Sequence, residues 1–194
     1  MPAVLAVYLA LPSHTFAQAE AEPADQATIS GNASTGAIAA NVAAGTYNQQ
    51  ANVMTIADGD AASSLGILIQ NLETPAAQES KSANASIAPG AFVESEGRIA
   101  LNVLSGTASQ QANVAVFAVG IDGPVANGLL LSQSRASIGP PVEVNEEDPP
   151  SQFDVQIGDG ALAGSSGLIQ INLSSGNRNS SANVFALTTA GQTP

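Results

Sequence analysis

"GAIAANVAAGTYNQQANV", residues 36–53, decides the fold. Apolar side chains alternate through its first half at Ile38, Ala40 and Val42, a period of two that belongs to a strand and not to a helix. Gly45 and the polar residues after it end that strand in a turn, and Ala51-Asn52-Val53 opens a second apolar run. The same pattern returns twice without a gap. Residues 97–114 read GRIALNVLSGTASQQANV, and residues 167–184 read GLIQINLSSGNRNSSANV. Gly36, Gly97 and Gly167 open the three blocks, and Asn41, Asn102 and Asn172 follow five residues later. Gly45, Gly106 and Gly176 mark the turns; Asn52, Asn113 and Asn183 lie in the second runs. Those second runs carry apolar residues on both faces, as at Met54 and Ile56, Val116 and Phe117, or Phe185 and Leu187, which implies burial on both sides. The blocks lack a 3.6-residue pattern and helix caps, and Gly and β-branched residues cross them.

The blocks are 61 and then 70 residues apart, about twice thirty, so intermediate copies are expected. One starts at Gly66 with GILIQNLETPAAQESKSAN, places Asn71 five residues on, and reaches Ala83-Asn84 after a two-residue insertion. A weaker one starts at Gly128 with GLLLSQ, has Gln133 where Asn is expected, and closes with FDVQIG, where Asp154 takes the place of the second Asn. The expected domain, residues 36–190, thus holds five units at 36–57, 66–89, 97–118, 128–157 and 167–188. An acidic, proline-rich insertion at 139–151 takes up the extra length of the last step. The fold class this predicts is all-β, a repeat architecture of about five strand–turn–strand units, arranged as a β-solenoid or as stacked cross-β arches. Antiparallel hairpins in a sandwich or propeller are the competing arrangement.

Stacking explains why the asparagines recur. Equivalent residues of in-register units lie about 4.8 Å apart, so each Asn amide can bond the one above and the one below. A charge in such a ladder would face its own kind, or be buried without a partner. Block 36–57 carries no charge, 97–118 only Arg98, and 167–188 only Arg178, in the turn. The carboxylates gather between blocks, at Asp58, Asp60, Glu94, Glu96, Asp122 and Asp159. The candidate ladder asparagines are Asn41, Asn52, Asn71, Asn84, Asn102, Asn113, Asn172 and Asn183.

Composition narrows the function. Among 194 residues only four are Lys or Arg, and the formal charge is −12. That excludes nucleic acid, whose phosphates need a basic footprint, and disfavours an anionic membrane surface. Aromatics are 4% with no Trp, so the core is built from small side chains. There is no cysteine, and His14 is the sole histidine, so no Ser-His-Asp arrangement and no histidine metal site can be built. No enzyme, cofactor or metal is expected. Asp58-Gly59-Asp60 and Gly158-Asp159-Gly160 read as turns, with calcium binding as their alternative. A carbohydrate-cleaving β-helix, with acids drawn from several coils, is the remaining enzymatic alternative. At the start, PAVLAVYLAL has the length of a signal-peptide apolar core, and small residues follow at Thr15, Ala17 and Ala19. Residues 1–19 are therefore read as a signal peptide without its basic flank, residues 20–35 as an acidic segment, and the chain as exported. No other stretch is long and apolar enough to cross a membrane as a helix.

The pattern G-x-I-x-x-N-V-A-A-G-x-x-N-Q-Q-A-N, closest at residues 36–57, good at 97–118 and recognisable at 167–188, resembles the repeat of Fap-type functional amyloid (biofilm fibril) proteins of Gram-negative bacteria. The resemblance implies a secreted, extracellular or surface protein, exported via the periplasm, that builds or nucleates cross-β fibrils in a biofilm matrix. Its partners would be copies of itself and related fibril subunits. It adds Gln49, Gln50, Gln110 and Gln111 to the ladder residues. The main fibril subunits of that kind have long linkers and a C-terminal cysteine pair; this chain has short connectors and no cysteine, which leaves room for a minor or nucleating subunit. The rival reading is a monomeric β-solenoid adhesin or ligand-binding module.

Overall fold

The computed structural model describes residues 24–75, 82–138 and 151–191. The proposed signal peptide, residues 1–19, and nearly all of the 139–151 insertion lie outside the described residues. Within them the chain is all-β, with eleven strands: β1 (Ala24–Ile29), β2 (Thr35–Ala44), β3 (Gln49–Gly59), β4 (Ala62–Pro75), β5 (Ser82–Ile87), β6 (Glu96–Ser105), β7 (Gln110–Gly120), β8 (Val125–Ile138), β9 (Gln152–Ile157), β10 (Ser166–Ser175) and β11 (Ser180–Ala190). Every pairing among the described strands is parallel, which rules out the hairpin arrangement. The chain winds through three successive coils, β1–β4, β5–β8 and β9–β11, and equivalent strands stack as β1-β5-β9, β2-β6-β10, β3-β7-β11 and β4-β8.

Side-chain direction turns these four sheets into a four-layer sandwich. One face of β6 carries Ile99, Leu101 and Val103 into a cluster with Ala83, Ala85 and Ile87 of β5. Its other face meets β7, where Asn113 Nδ2 donates to Asn102 Oδ1 at 3.1 Å. The far face of β7 sends Ala112, Val114 and Val116 against Leu68 of β4 and Leu129 and Leu131 of β8. The order of layers is therefore the β1, β2, β3 and β4 sheets. The outer apolar layers are thin, built of Ala, Val, Ile and Leu. The central layer is polar, and the aromatic pair Phe117–Phe185 stacks across neighbouring coils at 5.5 Å between ring centroids. The period of two in β6 therefore alternates between an oily layer and an amide layer rather than between core and water. The middle coil is the most enclosed: Ile99, Leu101, Asn102, Gln110, Gln111 and Asn113 are all buried.

The repeating strand pairs are β2–β3, β4–β5, β6–β7, β8–β9 and β10–β11, with the connection from β4 to β5 and nearly all of that from β8 to β9 outside the described residues. They do not form one uniform ladder. The units led by Gly36, Gly97 and Gly167 stack on one another, and those led by Gly66 and Gly128 form the other side of each coil. The period along the stack is thus a pair of units. Between the second pair the register is also shifted by one residue: Gly66 lies beside Leu129, and Leu65 beside Gly128. The shift keeps Gln70 and Gln133 together on the face turned to β7, and the opening glycine has no turn to make there because it lies inside a strand. β1, within the segment read as an acidic leader, belongs to the first coil and pairs with β5.

The turn between the central strands shows why glycine recurs there. Gly45, Gly106 and Gly176 have φ of 106°, 148° and 104°, where side chains are strained. Their backbones also approach closely along the stack. A Cβ on Gly45 would lie 2.1 Å from Gly106 O, and one on Gly106 would lie 1.8 Å from Gly176 O. Two residues on, Tyr47, Ala108 and Arg178 share a left-handed conformation, with φ of 57°, 56° and 60°. Asn48 closes the arc by donating from Nδ2 to Gly106 O at 2.8 Å and accepting from Ser109 N at Oδ1.

Candidate functional site

The layer between the β2 and β3 sheets holds two facing asparagine columns, Asn41–Asn102–Asn172 and Asn52–Asn113–Asn183. In the first, Asn102 Nδ2 donates to Asn41 Oδ1 at 2.8 Å, and Asn172 Nδ2 to Asn102 Oδ1 at 2.9 Å. In the second, Asn113 Nδ2 donates to Asn52 Oδ1 and Asn183 Nδ2 to Asn113 Oδ1, both at 3.0 Å. The columns are cross-linked: Asn52 Nδ2 reaches Asn41 Oδ1, and Asn102 Nδ2 reaches Asn52 Oδ1. Asn52, Asn102, Asn113, Asn172 and Asn183 also donate from Nδ2 to a backbone carbonyl opposite, as Asn113 does to Leu101 O and Asn172 to Ala112 O. Along both columns the donors point toward the first coil and the acceptors toward the third. The asparagine columns therefore have a direction, with their amide N–H groups facing one end and their amide oxygens the other, whereas the bond from Gln50 to Gln111 runs the opposite way.

The glutamines extend this network on both sides of β3 and β7. Gln50 Nε2 donates to Gln111 Oε1 at 2.8 Å in the same layer as the asparagines, and Ser181 follows in the third coil. Gln110 faces the β4 sheet instead, donating from Nε2 to Gln49 Oε1 at 3.1 Å and to the carbonyls of Gln70 and Ser134. Asn71 and Asn84 lie elsewhere, outside the central layer. Asn71 is on the outer face of β4, where its Oδ1 accepts from Ser134 Oγ at 2.5 Å. Asn84 is beside Gln26 and Asp154 on β5. Sequence reasoning missed the pair Gln70–Gln133, in which Gln133 Nε2 donates to Gln70 Oε1 at 2.7 Å. The signal for it was an amide at corresponding places of the two degenerate units, hidden by the one-residue shift.

Arg98 is also in the central layer, beside Ala37 and Leu168, and is buried there. Its Nη2 donates to Val53 O, Asn113 O and Gln170 Oε1, one acceptor from each coil. Desolvation by burial lowers its pKa. The charged state thus costs stability at neutral pH, and that cost fades only in strongly alkaline solution. The ladder tolerates this cation because its register neighbours are uncharged. The connector acids Asp58, Asp60, Glu94, Glu96, Asp122 and Asp159 are all exposed.

Stacked arches bonded by in-register amide columns are the inside of a cross-β assembly contained in one chain. A family model described as the functional amyloid protein FapB/FapC family matches residues 11–190. The chain belongs to that family. No solved structure matches it. FapB/FapC membership makes this a functional amyloid protein of biofilm fibrils. In its described residues no helix is long and apolar enough to cross a membrane, which says nothing of strand-built spans.

Proposed function

We propose that this FapB/FapC-family chain is an exported subunit, or a nucleating component, of an extracellular fibril, and that copies add head to tail along the stack. The observation that carries the reading is the common direction of the asparagine columns. If β1, β2 and β3 of one copy continue β9, β10 and β11 of another, amide oxygens at Asn172 and Asn183 meet amide N–H groups at Asn41 and Asn52. The same joint pairs Gly167 with Gly36 and Gly176 with Gly45, repeating within the fibril the contacts already made within the chain. Open parallel edges at both ends offer backbone groups to the incoming copy.

The glycines test the joint. A Cβ on Gly36 meets nothing within 4 Å, and one on Gly176 meets only Asn179 Nδ2 at 3.6 Å, because each faces an open end. Gly36→Ala and Gly176→Ala are each expected to cost the folded chain only the strain of a positive φ, about 1–3 kcal/mol. In the joint, however, the new methyl groups would strike backbone, so fibril elongation followed by thioflavin fluorescence should stop. Gly90→Ala, at φ 66° with nothing within 4 Å, is the strain control and should elongate normally. Normal elongation of both end variants would refute the head-to-tail joint, and a stable monomer at high concentration in the unmodified protein would favour the adhesin reading.

Charge sets the pace. Sixteen carboxylates against four basic residues leave copies mutually repulsive at neutral pH. Since carboxylates protonate near pH 4, lag times are expected to shorten several-fold between pH 7 and pH 4. Salt at pH 7 should do the same by screening. An unchanged lag in both conditions would remove this role from the connector acids.

A further inference from the structure

The two outer faces of the sandwich are chemically unlike. Outside the β1 sheet the register rows are polar, Gln26 with Asn84 and Asp154, and Thr28 with Ser86 and Gln156. Outside the β4 sheet, Leu65, Ile67 and Ile69 are 57%, 54% and 59% exposed, and Leu130 beside Ile67 is 53% exposed. An uncharged apolar stripe on so acidic a chain marks a contact surface.

We propose that this stripe is a lateral interface occupied by a second copy of the same chain, lying face to face with its stack reversed. The proposal rests on the head-to-tail reading for its strength. A stripe of a few hundred Å² is well short of the roughly 800 Å² per partner of a standard stable interface. Two isolated copies therefore stay apart, whereas two filaments that repeat the stripe in every copy hold together by summed contacts.

The distribution of bulk along the stripe matches a second copy in one orientation. The first coil presents Leu65, Ile67 and Ile69; the second presents Gly128, Leu130 and Ser132 in the same rows. Leu65 already leans over Gly128, where a Cβ would come within 3.0 Å of Leu65 Cδ1, so the hollow that remains is over Ser132. A two-fold axis along the strands brings the partner's Ile69 over Ser132 and its Ile67 over Leu130, and sets the two Leu65 side chains against each other above Gly128. It also sets Glu73, the one charged residue in these outward rows, against Ala136 rather than against another carboxylate. A two-fold along the stack would instead crowd Leu65 against Ile69 and leave Ser132 facing Gly128 across a gap.

Ser132→Ile separates these arrangements. It sets an isoleucine beside Ile69 within the chain, which the fold accepts, but fills the hollow that the partner's Ile69 needs. Mass per length by electron microscopy is expected to show two chains per axial repeat for the unmodified protein. Ser132→Ile and Ile67→Lys should each halve it, with elongation rates retained and the far-ultraviolet β-signature unchanged. Single filaments from the unmodified protein, or pairs that survive or tighten in Ser132→Ile, would overturn the lateral contact and leave the head-to-tail joint standing. Absence of any filament would sink both.

Discussion

Asn102→Asp is expected to abolish the folded stack at neutral pH. Asn102 is fully buried at the centre of the amide layer, and its Nδ2 serves Asn41 Oδ1, Ala51 O and Asn52 Oδ1. Aspartate keeps the shape but removes the donor: Ala51 O loses its side-chain partner, Asn41 Oδ1 and Asn52 Oδ1 each lose one of two donors, and a carboxylate oxygen is set against all three. Losing the donor to a buried acceptor costs about 1–3 kcal/mol, and a buried carboxylate without a counter-charge costs more. The sum, at least about 4 kcal/mol, is comparable to the whole stability of a small domain. The pH dependence has a definite sign. Burial beside oxygens raises the folded-state pKa of the introduced acid, so its penalty is full above that pKa and is relieved as pH falls through it. Denaturant titration at pH 7 and pH 4 tests this: a midpoint within experimental error of the unmodified protein at pH 7 would mean that the amide column does not support the fold. Asn102→Ser, which loses reach without gaining charge, is expected to fall between the two.

Gly106→Ala is expected to be the most damaging methyl group among the described glycines. The new Cβ would lie 1.8 Å from Gly176 O, and a backbone atom cannot rotate away as a side chain can. Relief requires the second and third coils to part at the arc, which also breaks the Gly176 N to Ser105 O bond of 2.9 Å. A loss above about 3 kcal/mol follows from steric strain and the broken ladder together. The same methyl at Gly176 meets no backbone, so thermal midpoints of Gly106→Ala and Gly176→Ala compared side by side isolate the close approach from the unfavourable φ. Equal midpoints would show that φ alone governs the turn.

Much of this architecture was written plainly in the chain because stacking forces like residues to equal spacing. Asn41, Asn102 and Asn172 stand five residues after a glycine in each block, and three copies suffice to reveal a column. What escaped was whatever the repeat does not constrain. The outer sheet of β4 and β8 has one face in solvent and only two copies, so its register slid by one residue in the reading of the sequence, and the Gln70–Gln133 pair went unseen. Asn71 and Asn84 matched the motif by spacing yet lie on strands with different neighbours. Arg98 looked like a marginal residue beside a turn glycine; only the packing of β6 on β7 shows that its side chain threads between the coils. β1 is short, and the acidic residues before it hid a strand whose apolar face, Ala27 and Ile29, joins the core of the second coil.

The left-handed position in the arc has an optical consequence. Tyr47, Ala108 and Arg178 occupy it in successive coils, so at a seam between copies the guanidinium of one chain would adjoin the phenol of the next. The sequence has no tryptophan and only one tyrosine besides Tyr47, namely Tyr8. If copies add head to tail as proposed, ultraviolet emission would therefore offer a label-free reporter of each new seam, sited at the point of contact by the protein itself.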